Sequence, residues 1–111
     1  CFGFLTGKYN KDTIFHKDDH RNRWSTEQIN LWASALKMFI KELKNFHDQS
    51  NTQLALRFCL SFPEISTTIP GMLIEQHVIE NVSSSKLGGF TSEVIQEFKK
   101  IYSQKDFFIK K

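Results

Sequence analysis

The chain has 111 residues, which is the size of a single domain. Hydrophobic residues make up 40% and charged residues 24%, so the composition excludes both a disordered chain and a mostly membrane-embedded one. A net charge of +3 is too small to indicate a nucleic-acid or membrane partner by itself. Any function must therefore be indicated by local patterns of residues.

The cysteines and the apolar stretches indicate which cellular compartment the chain occupies. Cys1 and Cys59 form neither a disulfide framework nor a Cys-x-x-Cys motif, so we expect no metal site and favour the reducing cytoplasm. No apolar stretch approaches the length of a bilayer span. The chain begins without Met on an apolar segment, which predicts that residues 1–111 form a single incomplete domain.

The first half of the chain contains one predicted strand end and two predicted helices. Residues 1–5 are apolar and resemble the end of a strand, and a polar loop then runs to Trp24. Capping boxes begin at Ser25 and Ser50, each ahead of apolar residues at helical spacing. These patterns predict helices over 25–47 and 52–62.

The second half contains one predicted strand and two further helices. Residues 65–69 are rich in β-branched side chains and lie between two prolines, which predicts a short buried strand parallel to the first. Helices are predicted over 74–83 and 91–104. The order is βαβα, an α/β fold that is mostly helical by residue count. Because two parallel strands do not form a stable sheet alone, this order predicts further strands outside the chain.

Two segments have the composition of phosphate-binding loops. Residues 68–71 form a turn between a predicted strand and a predicted helix, where backbone N–H groups can face an anion; an ordinary structural turn is the alternative. The segment Gly3-Phe4-Leu5-Thr6-Gly7-Lys8 combines two glycines with one point charge. It lacks the spacing of a Walker loop.

Four landmarks in the same order resemble the aldo-keto reductase family. They are Gly3-Phe4-Leu5-Thr6-Gly7-Lys8-Tyr9, similar to the stretch after strand seven of that family; Asp18-Asp19-His20-Arg21-Asn22-Arg23, similar to its next loop; Gln53-Leu54-Ala55-Leu56-Arg57-Phe58, similar to a helix; and Ile69-Pro70-Gly71 with Glu75-Gln76 and Glu80-Asn81, similar to its strand-eight signature. The resemblance implies a (β/α)8 TIM barrel, of which this chain is the C-terminal fragment, with ligands at the C-terminal ends of the strands.

The resemblance also implies an activity, the NADP(H)-dependent reduction of aldehydes or ketones by the complete enzyme. The family's catalytic Asp, Tyr, Lys and His come from early strands, so no catalytic residue is assigned here. His16, Asp18 and His20 are interpreted as a solvated loop rather than as a catalytic set. A small carbonyl substrate is the expected partner, with neither nucleic acid nor membrane.

The family's pattern places cofactor-binding residues at two parts of the chain. On the nicotinamide and phosphate side it implies main chain at Phe2, a phosphate-binding Lys8, and a loop cation at Arg21 or Arg23. On the adenosine side the implied positions are Gly71, Leu73, His77, Glu80 and Asn81. Leu73 departs from the Arg or Ser that many members carry for the 2′-phosphate, and an aliphatic side chain makes no charge-assisted hydrogen bond. NAD(H) is therefore an alternative to NADP(H).

A second interpretation is a truncated, non-catalytic helical interaction module. The absence of the family's catalytic residues and the predicted incomplete domain favour it. In either case, apolar faces left without a neighbour would promote self-association.

Overall fold

The computed structural model describes residues 2–109, apart from the side chain of Lys44. Within this range the helices are α1 (Thr26–Ile40), α2 (Asn51–Leu60), α3 (Glu75–Leu87) and α4 (Ser92–Ser103). Shorter 3-10 segments cover Phe4–Thr6, His20–Arg23 and Lys41–Phe46. The predicted helical character is confirmed. No helix in the described range has the length and apolarity needed to cross a bilayer.

The helix starts follow the capping residues in the sequence. Ser25 Oγ accepts a hydrogen bond from the Gln28 N–H at 3.2 Å. At α2 the capping box is complete, because Ser50 Oγ accepts from the Gln53 N–H at 3.2 Å and the Gln53 side chain accepts from the Ser50 N–H at 2.9 Å. The first predicted helix ends earlier than expected. Leu43 departs from helical geometry (φ −100°, ψ 21°), and residues 41–46 form 3-10 turns.

The hydrophobic core is formed by side chains from three separate parts of the chain. Leu43, Leu54, Phe90, Ile95 and Phe98 form one buried cluster. The rings of Phe90 and Phe98 lie edge to face with centroids 5.8 Å apart, an arrangement favoured by aromatic quadrupoles. The core therefore joins α2 and α4 to the turn after α1.

The predicted strand end at residues 1–5 is wrong. Cys1 lies outside the described residues, and Phe4–Thr6 form a 3-10 turn. Gly3 (φ 84°) and Gly7 (φ 77°) flank this turn in the left-handed region, which glycine reaches without a steric penalty. The two glycines therefore shape a tight turn around Phe4, which is 1% exposed.

The predicted buried strand at residues 65–69 is also wrong. This segment has neither strand nor helix structure, and Ile69 is 94% exposed. A strand exists only where a neighbouring backbone completes its hydrogen bonds, and the structure contains no strand within residues 2–109. The β part of the predicted α/β fold is therefore not observed there, whereas the helices are.

The end of the described chain is bound to α1 through main-chain atoms. The carbonyl oxygen of Phe107 accepts hydrogen bonds from Gln28 Nε2 at 3.0 Å and from Trp32 Nε1 at 2.8 Å. The Ile109 N–H donates to Gln28 Oε1 at 2.8 Å. Gln28 is buried, so both ends of its amide are satisfied away from water.

Candidate functional site

Arg21 is enclosed within its own loop. Its guanidinium lies 4.6 Å from the ring centroid of Tyr9 and 4.5 Å from that of Phe15. Arg21 Nε donates to Asp19 Oδ1 at 2.8 Å, and Nη2 lies 2.5 Å from Asp19 Oδ2. Arg21 Nη1 donates to the Tyr9 hydroxyl and to the Phe2 carbonyl oxygen. This side chain therefore ties the long loop to the first turn of the chain.

The local sequence explains the Arg21–Asp19 pair. Asp19 caps the 3-10 segment His20–Arg23 by accepting the Arg21 N–H at 2.9 Å, so one carboxylate binds both the backbone and the side chain of Arg21. These hydrogen bonds hold the pKa of Asp19 well below its usual range, and the carboxylate raises the pKa of Arg21. Both groups stay charged across the neutral range.

Arg23 has a different environment from Arg21. Its guanidinium lies 5.2 Å from the Phe2 ring centroid and 4.1 Å from that of Trp24, and the residue is exposed. None of the ion pairs formed by the described residues includes Arg23. Stacking on aromatic faces orients a guanidinium without occupying its N–H groups. Because its side chain donates no hydrogen bond to residues 2–109, Arg23 presents its N–H groups beside Phe2.

Lys8 is an exposed cation in the turn that follows Gly7. Its Nζ lies 6.0 Å from the ring centroid of Tyr9, the ring that also covers Arg21. The Lys8 N–H donates to Thr6 Oγ1 at 3.2 Å, which fixes the backbone of the turn and leaves the ammonium group in solvent.

The adenosine-side residues form a second group at the start of α3. The Asn81 side chain donates to the Gly71 carbonyl oxygen at 3.5 Å, and the Leu73 N–H donates to His77 Nδ1 at 3.3 Å. His77 Nδ1 thus accepts from the backbone at the segment that precedes α3. Glu80 and Asn81 are half-buried, while Leu73 is 89% exposed. The segment 71–74 is thus folded back onto the first two turns of α3.

Residues within each of the two groups contact one another, but the two groups lie apart in the described structure. Phe2 contacts both Arg21 and Arg23. In the second group, Gly71 contacts Asn81 and Leu73 contacts His77. No hydrogen bond or ion pair within residues 2–109 links the two groups. Helix α2 lies between them, because it contacts both the turn at residues 4–6 and α3.

Sequence reasoning missed the aromatic residues that organise the first group. Tyr9, Phe15 and Trp24 hold the two arginines. An apolar cavity of about 690 Å³ adjoins them, with Phe2, Trp24 and Trp32 in its wall. The richness in Phe and Trp was the available signal, but composition does not indicate which rings face a cation.

His16, Asp18 and His20 are all exposed to solvent. His16 Nδ1 lies 3.4 Å from Asp18 Oδ2, and both side chains are about three-quarters exposed, at 75% and 76%. Among the described residues no group of three or more His, Cys, Asp or Glu is arranged to hold a metal ion.

A comparison with models of protein families supports the resemblance carried by the four sequence motifs. The model of the Aldo/keto reductase family matches residues 1–103, which includes both groups of candidate residues. Neither a curated protein nor a solved structure matches the chain. The match covers nearly all of the 111 residues, and the chain therefore belongs to the aldo/keto reductase family of oxidoreductases.

Proposed function

We propose that this chain supplies the cofactor-binding part of an NADP(H)-dependent aldo-keto reductase that reduces a small aldehyde or ketone in the cytoplasm. In this proposal the chain is the C-terminal part of a (β/α)8 barrel, and the catalytic Asp, Tyr, Lys and His lie outside residues 1–111. Family membership supports the reaction class. The free thiol of Cys59 is in keeping with a reducing compartment.

The observation that carries the proposal is the contrast between Arg21 and Arg23. Arg21 uses its donors on Asp19, Tyr9 and Phe2. Arg23 instead lies on Phe2 and Trp24 and pairs with none of the carboxylates in residues 2–109. A guanidinium that is oriented by rings and keeps its N–H fork free suits a phosphate. We therefore assign the cofactor-binding loop cation to Arg23 and the loop-holding role to Arg21.

The adenosine-side residues fit a purine nucleotide better than they fit a 2′-phosphate. Nothing lies within 4 Å of the Cβ position of Gly71, so a ligand can approach the backbone there. Asn81 can donate to and accept from a purine edge, with Glu80 beside it. Leu73 supplies no donor for a 2′-phosphate, and His77 is the nearest group that could. NAD(H) thus stays an alternative cofactor.

The role of this chain is to bind and orient the cofactor. A bound nicotinamide cofactor supplies the hydride. Lys8 and Arg23 would neutralise its phosphates, and Phe2 would pass beside its ribose. Glu80 and Asn81 would hold the adenine, so that the nicotinamide is presented at one fixed distance from the substrate. The adjoining apolar cavity would exclude water from that end.

Calorimetric titration of the full chain with NADPH, and separately with NADH, tests the proposal. We expect saturable binding of at least one cofactor and a loss of affinity in Arg23→Ala that Arg21→Lys does not reproduce. Failure of both cofactors to bind, or equal effects of the two variants, would contradict it.

One observation favours the alternative of a non-catalytic interaction module. Ile69 and Leu73 are 94% and 89% exposed, and residues 65–70 have neither helix nor strand structure. An exposed apolar segment of this kind can bind another chain or a second copy. Sedimentation of the protein with and without NADPH separates the two functions, because self-association that the cofactor does not affect would favour the module.

A further inference from the structure

Arg57 is a buried cation with no role in the proposed cofactor site. The residue is 7% exposed, although it lies in α2 among apolar neighbours. None of the ion pairs among the described residues includes it. Its guanidinium lies 5.2 Å from the ring centroid of Phe46 and 4.5 Å from that of Phe90. Burying a charge in this way is unfavourable unless its hydrogen bonds are satisfied.

The hydrogen bonds of Arg57 lead to the segment after α3 and to Gln49, just before α2. Nε donates to the Gly88 carbonyl oxygen at 2.8 Å and Nη2 to the Gly89 carbonyl oxygen at 3.1 Å. Nη1 donates to Gln49 Oε1 at 2.8 Å. The first two acceptors follow the last residue of α3 directly. The planar fork of one side chain thus holds two successive carbonyls at the end of α3.

A second set of contacts closes the same junction. Ser61 Oγ accepts from the Phe90 N–H at 2.7 Å and donates to the Arg57 carbonyl oxygen at 2.7 Å. A Cβ at Gly89 would lie 2.8 Å from Ser61 Cα, so only glycine permits this approach. The C-terminal end of α3 is therefore fixed to α2 at residues 88–90.

Helix α3 packs along α2, but its side chains contribute little to the core. Ser84 is its one buried residue among those described, and the apolar side chains Val78, Ile79 and Val82 are 43%, 52% and 51% exposed. No side-chain hydrogen bond caps its first turn. The junction at Arg57 is therefore the main polar restraint on the direction of the helix that carries His77, Glu80 and Asn81.

We propose that Arg57 is a positioning residue, which sets the direction of α3 by binding the Gly88 and Gly89 carbonyls and thereby places Glu80 and Asn81 for the adenosine part of the cofactor. The inference rests on the proposed function for its ligand. It predicts that a change at Arg57, which touches no cofactor, alters affinity for the adenosine part.

The test measures binding to the full chain of two ligands: AMP, which represents the adenosine part of both cofactors, and whichever of NADPH and NADH the wild type binds more tightly. Arg57→Met removes all three hydrogen bonds at similar volume, whereas Arg57→Lys keeps the charge and can reach only one carbonyl. We expect both variants to raise the two dissociation constants by the same factor, about five- to tenfold, in the range of remote coupling in proteins. Arg57→Lys keeps the test valid if Arg57→Met fails to fold.

Gln28→Met is the matched control. It also removes buried hydrogen bonds, but those at the 107–109 segment, so we expect it to lower the urea midpoint and leave both dissociation constants unchanged. Equal loss of affinity in Gln28→Met would show that reduced stability alone is responsible and would overturn the inference. Unchanged affinity in both Arg57 variants would overturn it as well, with the proposed function intact. A wild-type protein that binds neither ligand would instead refute the proposed function and the inference with it.

Discussion

Asp19 and Arg21 are joined by two parallel contacts, with Nε 2.8 Å from Oδ1 and Nη2 2.5 Å from Oδ2. A bidentate pair of this kind is specific in geometry as well as in charge. Because Tyr9 and Phe15 cover the guanidinium, the pair is a structural part of the loop. Arg23, by contrast, lies on aromatic rings and pairs with no carboxylate of residues 2–109.

The two arginines should therefore differ when each is replaced. Arg23→Ala is expected to weaken NADPH binding about tenfold, because a hydrogen bond to a charged group contributes roughly 1.5–3 kcal/mol and exposure keeps the loss at the low end. The urea midpoint should stay the same. Arg21→Ala should lower that midpoint, and urea unfolding with calorimetric titration measures both effects. An Arg23→Ala protein with wild-type affinity would contradict the assignment.

Lys8 provides an independent measure of the phosphate site. Its ammonium group is exposed beyond the Tyr9 ring, so Lys8→Ala should raise the dissociation constants of NADPH and NADH by the same factor, about three- to tenfold for one partly screened charge contact. Lys11→Ala, in the same loop, is the control and should change neither constant. Unaltered affinity in Lys8→Ala would remove this residue from the site.

Leu73 should decide between the two cofactors. A guanidinium at this position can bind a 2′-phosphate bidentately, and the side chain is 89% exposed, so a larger residue fits. Leu73→Arg is expected to tighten NADPH binding and leave NADH binding nearly unchanged. Paired titrations with both cofactors measure the change. An equal effect on both would show that Leu73 does not face the 2′-phosphate.

The Asp19–Arg21 pair should make loop stability depend on pH. The hydrogen bonds from Arg21 lower the pKa of Asp19 in the folded protein, so its contribution to stability is present above the unfolded pKa of about 3.9 and is lost as the pH falls below that value. The urea midpoints of wild type and Asp19→Asn should differ at pH 7, and the difference should shrink progressively as the pH falls below about 4. A difference that is constant between pH 7 and pH 3 would contradict this role.

Gly89 should tolerate no side chain. Its Cβ would lie 2.8 Å from Ser61 Cα and 3.0 Å from the Leu60 carbonyl oxygen, both backbone atoms that cannot move aside. Gly89→Ala should destabilise the protein by roughly 1–3 kcal/mol, the usual cost of overpacking. Gly71→Ala, where nothing lies within 4 Å, is the matched control and should leave the urea midpoint unchanged. Equal urea midpoints for the two variants would show that the backbones at Gly89 and Ser61 can move apart to admit a side chain.

The elements that the sequence predicted well are those with local causes. Ser25 and Ser50 cap the helices that follow them, because a cap depends on residues only three positions away. Residues 65–69 have the composition of a strand, but a strand requires a second backbone that no local pattern supplies. This difference explains why the helices were found where predicted and the strands were not.

The candidate site shows the same limit. The motif at residues 18–23 identified a cationic loop, yet the sequence alone could not choose between Arg21 and Arg23. The choice depends on rings at positions 9 and 15, which reach Arg21 only after the loop folds back. Side-chain partners brought together by a long loop are therefore the part of the site that only the structure provides.

Gln28 and Trp32 hold the last described residues by their peptide groups, through the Phe107 carbonyl and the Ile109 N–H. An attachment of this kind does not read the side chains at positions 108 and 109, because every residue except proline offers the same peptide atoms. Evolution could thus exchange Phe108, which forms part of the cavity wall beside Trp32, without losing the attachment. At positions 108 and 109, therefore, the attachment to α1 and the chemistry of the exposed side chains can change independently.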